Sequence, residues 1–397
     1  QKLDHALQQG SWVSLRSEEA NYLEICTSNL PKGAGVILQG GGSTGRYQQC
    51  LHLSSHLDQS ALATARWVTK QGLEPDKCYI FNPLPLHHVS GLLPWWRSRC
   101  WGAKHEWITN ETMRNPDLLE KQTHSLLSKA LRPVVTSLVP TQLHRLLQYP
   151  SGIRWLKLCT IIWIGGSSIS TKLAATARNL QIRLAPCYGT TETAAMVTVQ
   201  TPEAFLSGDN SLGPPLHDVA LRLGENNALQ IRTKRLARVF LQDGTIQAIN
   251  NNEGWWESGD AAELTPDNQV QQLTILGRRD TAINSGGEII FPEILQEKLL
   301  SHAQRTCLPV EALFLVAIDD EEWGERLVAL VRLKKEALHL NPQATLVKLK
   351  DLVQDWSPCQ KPIDWYYCPE LAKNKLGKWE IKKWQSWARL KRTKTSI

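Results

Sequence analysis

Short apolar runs alternate along this chain with longer stretches in which the apolar positions fall three or four residues apart. GVILQ, from Gly35, is one such run, and the others open CYIFNPLPLHH, VVTSLVPTQLHRLLQ, CTIIWIGGSSISTKLAATARNL and IRLAPCYGTTETAAM. A few consecutive apolar residues closed by Gly or Pro read as a strand buried on both faces; helical spacing after the turn reads as a covering helix. SSHLDQSALATARWVTKQGL predicts a helix. CYIFN predicts a strand running into a loop, and VVTSLV a strand closed by Pro140, with a helix capped near Thr141. Gly165 and Gly166 mark the next turn, and IRLAPCYGTTETAAM predicts strand, turn and helix once more. This repetition predicts an α/β fold with a largely parallel, doubly wound sheet, whose ligands gather beyond the carboxyl ends of the strands.

From about residue 205 the pattern changes to short strands separated by Gly, Pro and Asn, as in LGPPLHDVALRLGENNALQIRTKRLARVF, and predicts a small antiparallel β module over 205–277. Beyond GRRD, Gly277 to Asp280, the apolar strands ALFLVAI and LVALVRL sit among helical stretches. The expected organisation is a large domain over residues 1–277 and a smaller, mobile α+β domain over 280–397, with Asp280 at the hinge. A chain of 397 residues is too long for one core, which agrees.

Composition adds limits. The 42% hydrophobic and 21% charged content is that of a soluble globular protein. No apolar run is long enough for a transmembrane helix, so membrane insertion is not expected. The opening QKLDHALQQG has no signal-peptide core, and the lack of an initiating Met suggests that a natural N-terminal portion precedes Gln1. Nine cysteines without a CxxC pair argue against a disulfide framework or a structural zinc site and for a reducing cytoplasm. The net charge of +7 is concentrated in residues 373–397, where nine Lys or Arg face the single acid Glu380. With Trp379, Trp384 and Trp387 interleaved, such a tail suits nucleic acid. The favoured alternative is a terminal helix that buries Ile381, Trp384 and Ala388 and solvates its cations.

The stretch QGGGSTGRYQQ follows the first strand. Glycines let consecutive backbone N–H groups converge on phosphate oxygens, yet the P-loop pattern is not matched, since only Arg46 follows Gly45. Read alone, this turn is equally a connector.

Taken together, GGGSTG, PLHHVSG, GGSSI, YGTTE, GWWESGD, GRRDTAINSGGEIIFPEI and LGK resemble, in order and approximate spacing, the motifs of the adenylate-forming superfamily of acyl-CoA synthetases, luciferases and peptide synthetase adenylation domains. The resemblance runs from about Val36 to Lys378. YGTTE, SGD and GRRD in that order are its most specific part. Among subfamilies the chain is most similar to the o-succinylbenzoate-CoA ligases of menaquinone and phylloquinone biosynthesis. The resemblance implies an AMP-forming acid-thiol ligase that uses ATP, Mg²⁺ and CoA, with no nucleic acid as partner. It leaves open the choice of acid, aromatic or fatty, and the oligomeric state.

The resemblance also implies roles. Gly42, Ser43, Thr44 and Gly45 would close over the ATP phosphates, although the family's Pro-Lys that ends this loop is replaced by Tyr47 and Gln48. Gly165, Gly166 and Ser167 would lie along adenine, next to Tyr188, Gly189 and Thr190. Thr191 and Glu192 belong to the same motif, with Glu192 holding Mg²⁺; read locally, Glu192 is a first-turn helix acid with Thr191 as N-cap. Asp260 would accept the ribose hydroxyls beside Arg278. His88 would gate the acyl pocket, with Ser90, Trp96, Arg97 and Gly166 near the acid. The indoles of Trp95 and Trp96 and the cations of Arg97 and Arg99 suit a benzoate ring and a second carboxylate, whereas core packing is the local reading. Lys378 would bridge the acid and the α-phosphate. After adenylation the small domain would turn at Asp280 and bring Gly286 to Glu288 toward the pantetheine channel. A degenerate nucleotide-binding homologue, suggested by Tyr47 and Gln48, and a nucleic-acid binder using the tail are the rival readings.

Overall fold

The computed structural model describes residues 2–16, 30–40, 48–127, 132–241, 245–267, 270–337, 341–373 and 379–395. Contacts divide the chain into two compact units: Gln1–Ser258 with Ala262–Ile275, and Gly259–Ala261 with Leu276–Ile397.

In the first unit the mainly apolar runs form the centre of a six-stranded sheet. Its order is Lys104–Trp107, Tyr79–Asn82, Val134–Leu138, Ile161–Ile164, Leu184–Thr190 and Ala195–Val199. The first five are parallel and the last is antiparallel to its neighbour. Side chains alternate across a strand, and the two faces are covered separately. Phe81, Ile162 and Ile164 pack with Trp155, Leu143 and Leu173 from the helices Pro150–Leu158, Pro140–Leu146 and Thr171–Asn179. Ile80, Val135 and Trp163 pack on the opposite side with Trp67 and Trp101 from Ser54–Lys70 and Val89–Trp101. This is the doubly wound arrangement that the repetition predicts.

Three local readings change. Pro140 opens a helix rather than closing a strand: it occupies the first helical position after the N-cap Val139, where its missing N–H costs nothing. The GVILQ strand, Gly35–Gly40, pairs antiparallel with a second strand, Gln48–Leu53, which precedes the predicted helix. Its QQCLHL pattern hides the polar Gln49 and His52 inside, so simple alternation does not reveal it. No helix follows YGTTE. Ala194 and Ala195 adopt φ of 51° and 73°, the Thr193 hydroxyl bonds locally to the Ala195 carbonyl, and AMVTV returns as a fully buried strand. The helix propensity of Glu and Ala yields here to β-branched packing, and Thr191 caps nothing.

Gly35–Gly40 and Gln48–Leu53 belong to a second sheet completed by Trp12–Ser14, Arg238–Phe240 and Ile246–Ala248. The predicted β module therefore feeds two sheets. Ala220–Leu223, Ala228–Arg232, Trp256–Asp267 and Val270–Arg278 form the third.

The second unit is a sheet of Glu288–Ile290, Ile283–Ser285, Gly324–Leu333 and Val310–Asp320, with Asp364–Tyr367 added parallel to Gly324–Leu333. One face carries Leu295 and Leu299 from Pro292–Arg305 and Leu346 from Pro342–Asp351. The other carries Trp384 and Ala388 from the basic terminal helix Ile381–Thr395. That helix is the favoured reading of the tail, except that Ile381 is exposed rather than buried.

Candidate active site

The glycine loop is tied down at its base. Gly40 pairs with Gln48, the last and first residues of two neighbouring antiparallel strands. Gly42, Ser43, Thr44 and Gly45 themselves lie outside the described residues, and so does Lys378. The motif YGTTE meets this base. Glu192 follows the strand Leu184–Thr190, its backbone carbonyl accepts from the Ala237 N–H at 2.8 Å, and its Oε1 lies 3.4 Å from the point a Cβ on Gly40 would occupy. Burial first, and the Glu192 charge second, push the neighbouring Cys50 thiol well up. Gly189 has a steric reason to be glycine: a Cβ there would stand 2.1 Å from the Ala195 carbonyl oxygen.

Two buried side chains hold the turn from behind, and neither was expected from the sequence. His52 contacts the Thr191 carbonyl through Nε2 at 2.7 Å. A carbonyl only accepts, so Nε2 carries the proton and the ring is neutral. Burial is the main cause that lowers its pKa to about 3. Arg235, with no exposed side-chain area, donates to the carbonyls of Thr193 and Met196 at 2.7 Å each, while its Nε reaches Asp218 at 2.8 Å. Ser60 Oγ donates to the Ala194 carbonyl at 2.6 Å. The only sequence signals were a histidine in an apolar strand and an arginine in the alternating run TKRLARVF.

Gly165, Gly166 and Ser167 follow the strand Ile161–Ile164, whose neighbour carries Tyr188 and Gly189, so the two motifs stand at adjacent carboxyl ends. Gly166 adopts φ of 81°, and a Cβ on Gly165 would meet Cys187 Sγ at 3.1 Å. His88 is the N-cap of Val89–Trp101, its ring centroid 4.4 Å from that of His87, and both it and Ser90 are exposed. Trp96 and Arg97 are core residues. Trp96 Nε1 donates to Asp58 at 2.8 Å; Arg97 donates to Thr64 Oγ1 at 3.1 Å and lies 4.9 Å above the Trp163 ring. Burial lowers the Arg97 guanidinium to about 9. Trp95 instead lines an apolar cavity of about 370 Å³ with Leu86 and Trp107, and Arg99 is held over the Trp95 ring by an ion pair to Asp4 at 2.6 Å.

In the second unit Asp260 and Arg278 are brought together at 3.2 Å, and Arg278 also reaches Asp280 at 3.2 Å. Gly286 and Gly287, with φ of 63° and 87°, form the two-residue turn between Ile283–Ser285 and Glu288–Ile290, a conformation glycine reaches at least cost. Glu288 accepts from the Cys359 thiol at 3.0 Å.

Among the described residues no cluster of three or more His, Cys, Asp or Glu is placed to hold a metal ion. Glu192 offers a carboxylate beside Gly40, where the glycine loop begins. That donor set fits Mg²⁺ carried in with nucleotide phosphates, since the ion usually takes one or two carboxylates and draws its other ligands from phosphate and water.

The profile of the family described as AMP-binding enzyme matches residues 35–233. The chain is 30% identical over 352 residues to the 2-succinylbenzoate–CoA ligase of Salmonella typhimurium, covering 86% of this chain and 67% of that protein. It is 27% identical to the ligase of the same name from Haemophilus influenzae, covering 94% and 74%. The solved structure of wild-type Escherichia coli MenE with a bound analogue of OSB-AMS shares 27% identity, with a TM-score of 0.65 over 89% of this chain and 69% of that one. MenE from Bacillus subtilis in complex with ATP and magnesium shares the fold at a TM-score of 0.69 and 20% identity, over 96% and 81%. From Gly35 through the Glu192 turn to Arg235, the elements that build this site lie almost wholly within the matched segment, and the chain belongs to the AMP-binding enzyme family.

Proposed function

We propose that this chain is an AMP-forming acid-thiol ligase that activates o-succinylbenzoate with ATP and transfers it to CoA. The observation that carries the reading is the placement of the Glu192 carboxylate against Gly40, where the glycine loop begins, in a chain of this family. Its relatives named 2-succinylbenzoate–CoA ligase supply the acid.

The chemistry is two displacements. A carboxylate oxygen of the acid attacks the α-phosphorus of ATP, the bond to pyrophosphate breaks, and an acyl-adenylate forms. The CoA sulfur then attacks the acyl carbon, AMP leaves, and the thiol proton passes to solvent. No protein nucleophile is required. In this reading Glu192 holds the Mg²⁺, which neutralises phosphate charge. Gly42 to Gly45 cradle the phosphates, Gly165 to Ser167 and Tyr188 flank adenine, and Asp260 and Arg278 receive the ribose. Lys378 stabilises the charge that builds up during adenylation. The large region over 1–277 binds ATP and acid, and the region over 280–397 turns at Asp280 between the half-reactions. His88 and Ser90 border the acid; Arg97, although buried, is the cation nearest in sequence. Eight described cysteines are free and no described helix is long and apolar enough to cross a membrane, which supports a cytoplasmic site of action.

The replacement of Pro-Lys by Tyr47 and Gln48 favours a second reading, a homologue that binds nucleotide without turnover. Acid-dependent pyrophosphate release separates the two. With Mg-ATP and a panel of o-succinylbenzoate, benzoate, a fatty acid and an amino acid, release restricted to o-succinylbenzoate and thioester formation on adding CoA are expected. ATP binding without release on any acid would refute the ligase reading.

A further inference from the structure

We infer that Arg235 is a positioning residue for Glu192, which it aims by clamping the turn behind it; this rests on the metal-binding role proposed above for Glu192. The turn is strained: Ala194 and Ala195 both carry Cβ atoms in the left-handed region, at φ of 51° and 73°. Each such residue is strained and persists only where its surroundings over-determine it. Arg235 provides that constraint. Its Nη1 reaches the Thr193 carbonyl at 2.7 Å, the Ser60 hydroxyl at 3.3 Å and the Ala194 carbonyl at 3.4 Å. Its Nη2 reaches the Met196 carbonyl at 2.7 Å, and Asp218 fixes the far side of the fork through Nε. Three of the four carbonyls from Thr193 to Met196 are thereby drawn to one guanidinium. With His52 on the Thr191 carbonyl and the Ala237 N–H on the Glu192 carbonyl, the backbone on both sides of Glu192 is fixed, and its carboxylate stands at the base of the glycine loop. A planar five-donor fork serves three carbonyls and a carboxylate together, which an ammonium does not.

The test is ATP binding by calorimetry at increasing Mg²⁺ concentration, with thermal unfolding as a check on folding, for the native chain, Arg235→Lys, Glu192→Gln and the double variant. It needs no turnover and so does not depend on which acid is activated. Arg235→Lys is expected to remain folded and to need about tenfold more Mg²⁺ for half-maximal ATP affinity, with ATP binding in the absence of Mg²⁺ unchanged. In the Glu192→Gln background the same change is expected to add nothing, because a residue that acts through another is not additive with it. A purely structural ion pair would lower the unfolding temperature and leave the Mg²⁺ dependence alone, or its effect would add in full to that of Glu192→Gln. Either result overturns the inference, as does ATP binding by the native chain that ignores Mg²⁺. Magnesium-dependent binding with the expected non-additivity, but no pyrophosphate release on any acid, would uphold the clamp and refute the ligase.

Discussion

His52 makes the turn that carries Glu192 sensitive to acid. The ring is buried and neutral, with Nε2 donating to the Thr191 carbonyl and Nδ1 buried without a hydrogen-bond partner among the described residues. Its pKa falls from 6.5 in the unfolded chain to about 3 in the folded one. A proton is therefore taken up more readily by the unfolded state, so the stability that the neutral ring contributes is complete above about pH 6.5 and is lost as pH falls toward 3. Near pH 4 roughly 2.5 of those pKa units are expressed, and at about 1.4 kcal/mol per unit the loss is about 3 kcal/mol. His105, lowered to about 4 by burial, adds to the same acid limb, so the native chain alone does not isolate His52. The substitution His52→Gln does, because the glutamine amide offers a donor at a similar reach and does not titrate. Urea midpoints of both proteins, read at about pH 7 and about pH 4 and converted through the slope, give the difference of differences. The variant is expected to be the less stable at neutral pH and to gain about 3 kcal/mol relative to the native chain on acidification. A relative stability that stays constant between the two pH values would show that His52 is charged or solvated in the folded protein and would refute the argument.

Three other outcomes follow from the geometry. Gly189→Ala places a Cβ 2.1 Å from the Ala195 carbonyl oxygen, a backbone atom with little freedom to move. It is expected to cost about 1–3 kcal/mol of stability and to weaken ATP binding with it, and unchanged thermal unfolding would be the contrary result. Trp384→Ala removes a fully buried indole from the second unit and is expected to cost about 3–5 kcal/mol in urea unfolding, against less than about 1 kcal/mol if the terminal helix is only loosely attached. Lys378→Ala is expected to abolish acid-dependent pyrophosphate release yet leave thioester formation from supplied acyl-adenylate nearly intact; equal loss in both assays would remove the role assigned to that lysine.

The central sheet was legible because its inner strands are short runs rich in apolar and β-branched residues, a pattern that burial on both faces rewards. Ile161–Ile164 and Val134–Leu138 could hardly be anything else. The strand Gln48–Leu53 was hidden because burial of polar residues is invisible in composition: Gln49 and His52 read as surface, and only long-range pairing places them inside. The Glu192 turn was misread for a related reason. Glu and Ala favour a helix locally and Thr offers it a cap, while the residue that overrules them, Arg235, lies more than forty positions away in sequence. The motif order singled out turns, and of the residues in them the structure brings Asp260 to Arg278 and Glu192 to Gly40. It does not bring Trp96 and Arg97 to an open wall, since a tryptophan-rich helix gives no sign of which indole faces the core.

The terminal helix has a practical meaning for any experiment on the basic tail. Trp384 and Ala388 cover Phe314, Val316, Ile318, Val328 and Leu330, while Arg389 reaches Asp319 at 2.8 Å and Arg392 reaches Asp364 at 3.6 Å. Cutting residues 373–397 away would strip one whole side of a β-sheet, and the product would be sticky whatever the tail binds. Loss of nucleic-acid binding by such a truncation would report aggregation as readily as recognition. Neutralising outward lysines such as Lys382 and Lys391, with the indole left in its seat, separates the charge of this segment from its service as a wall.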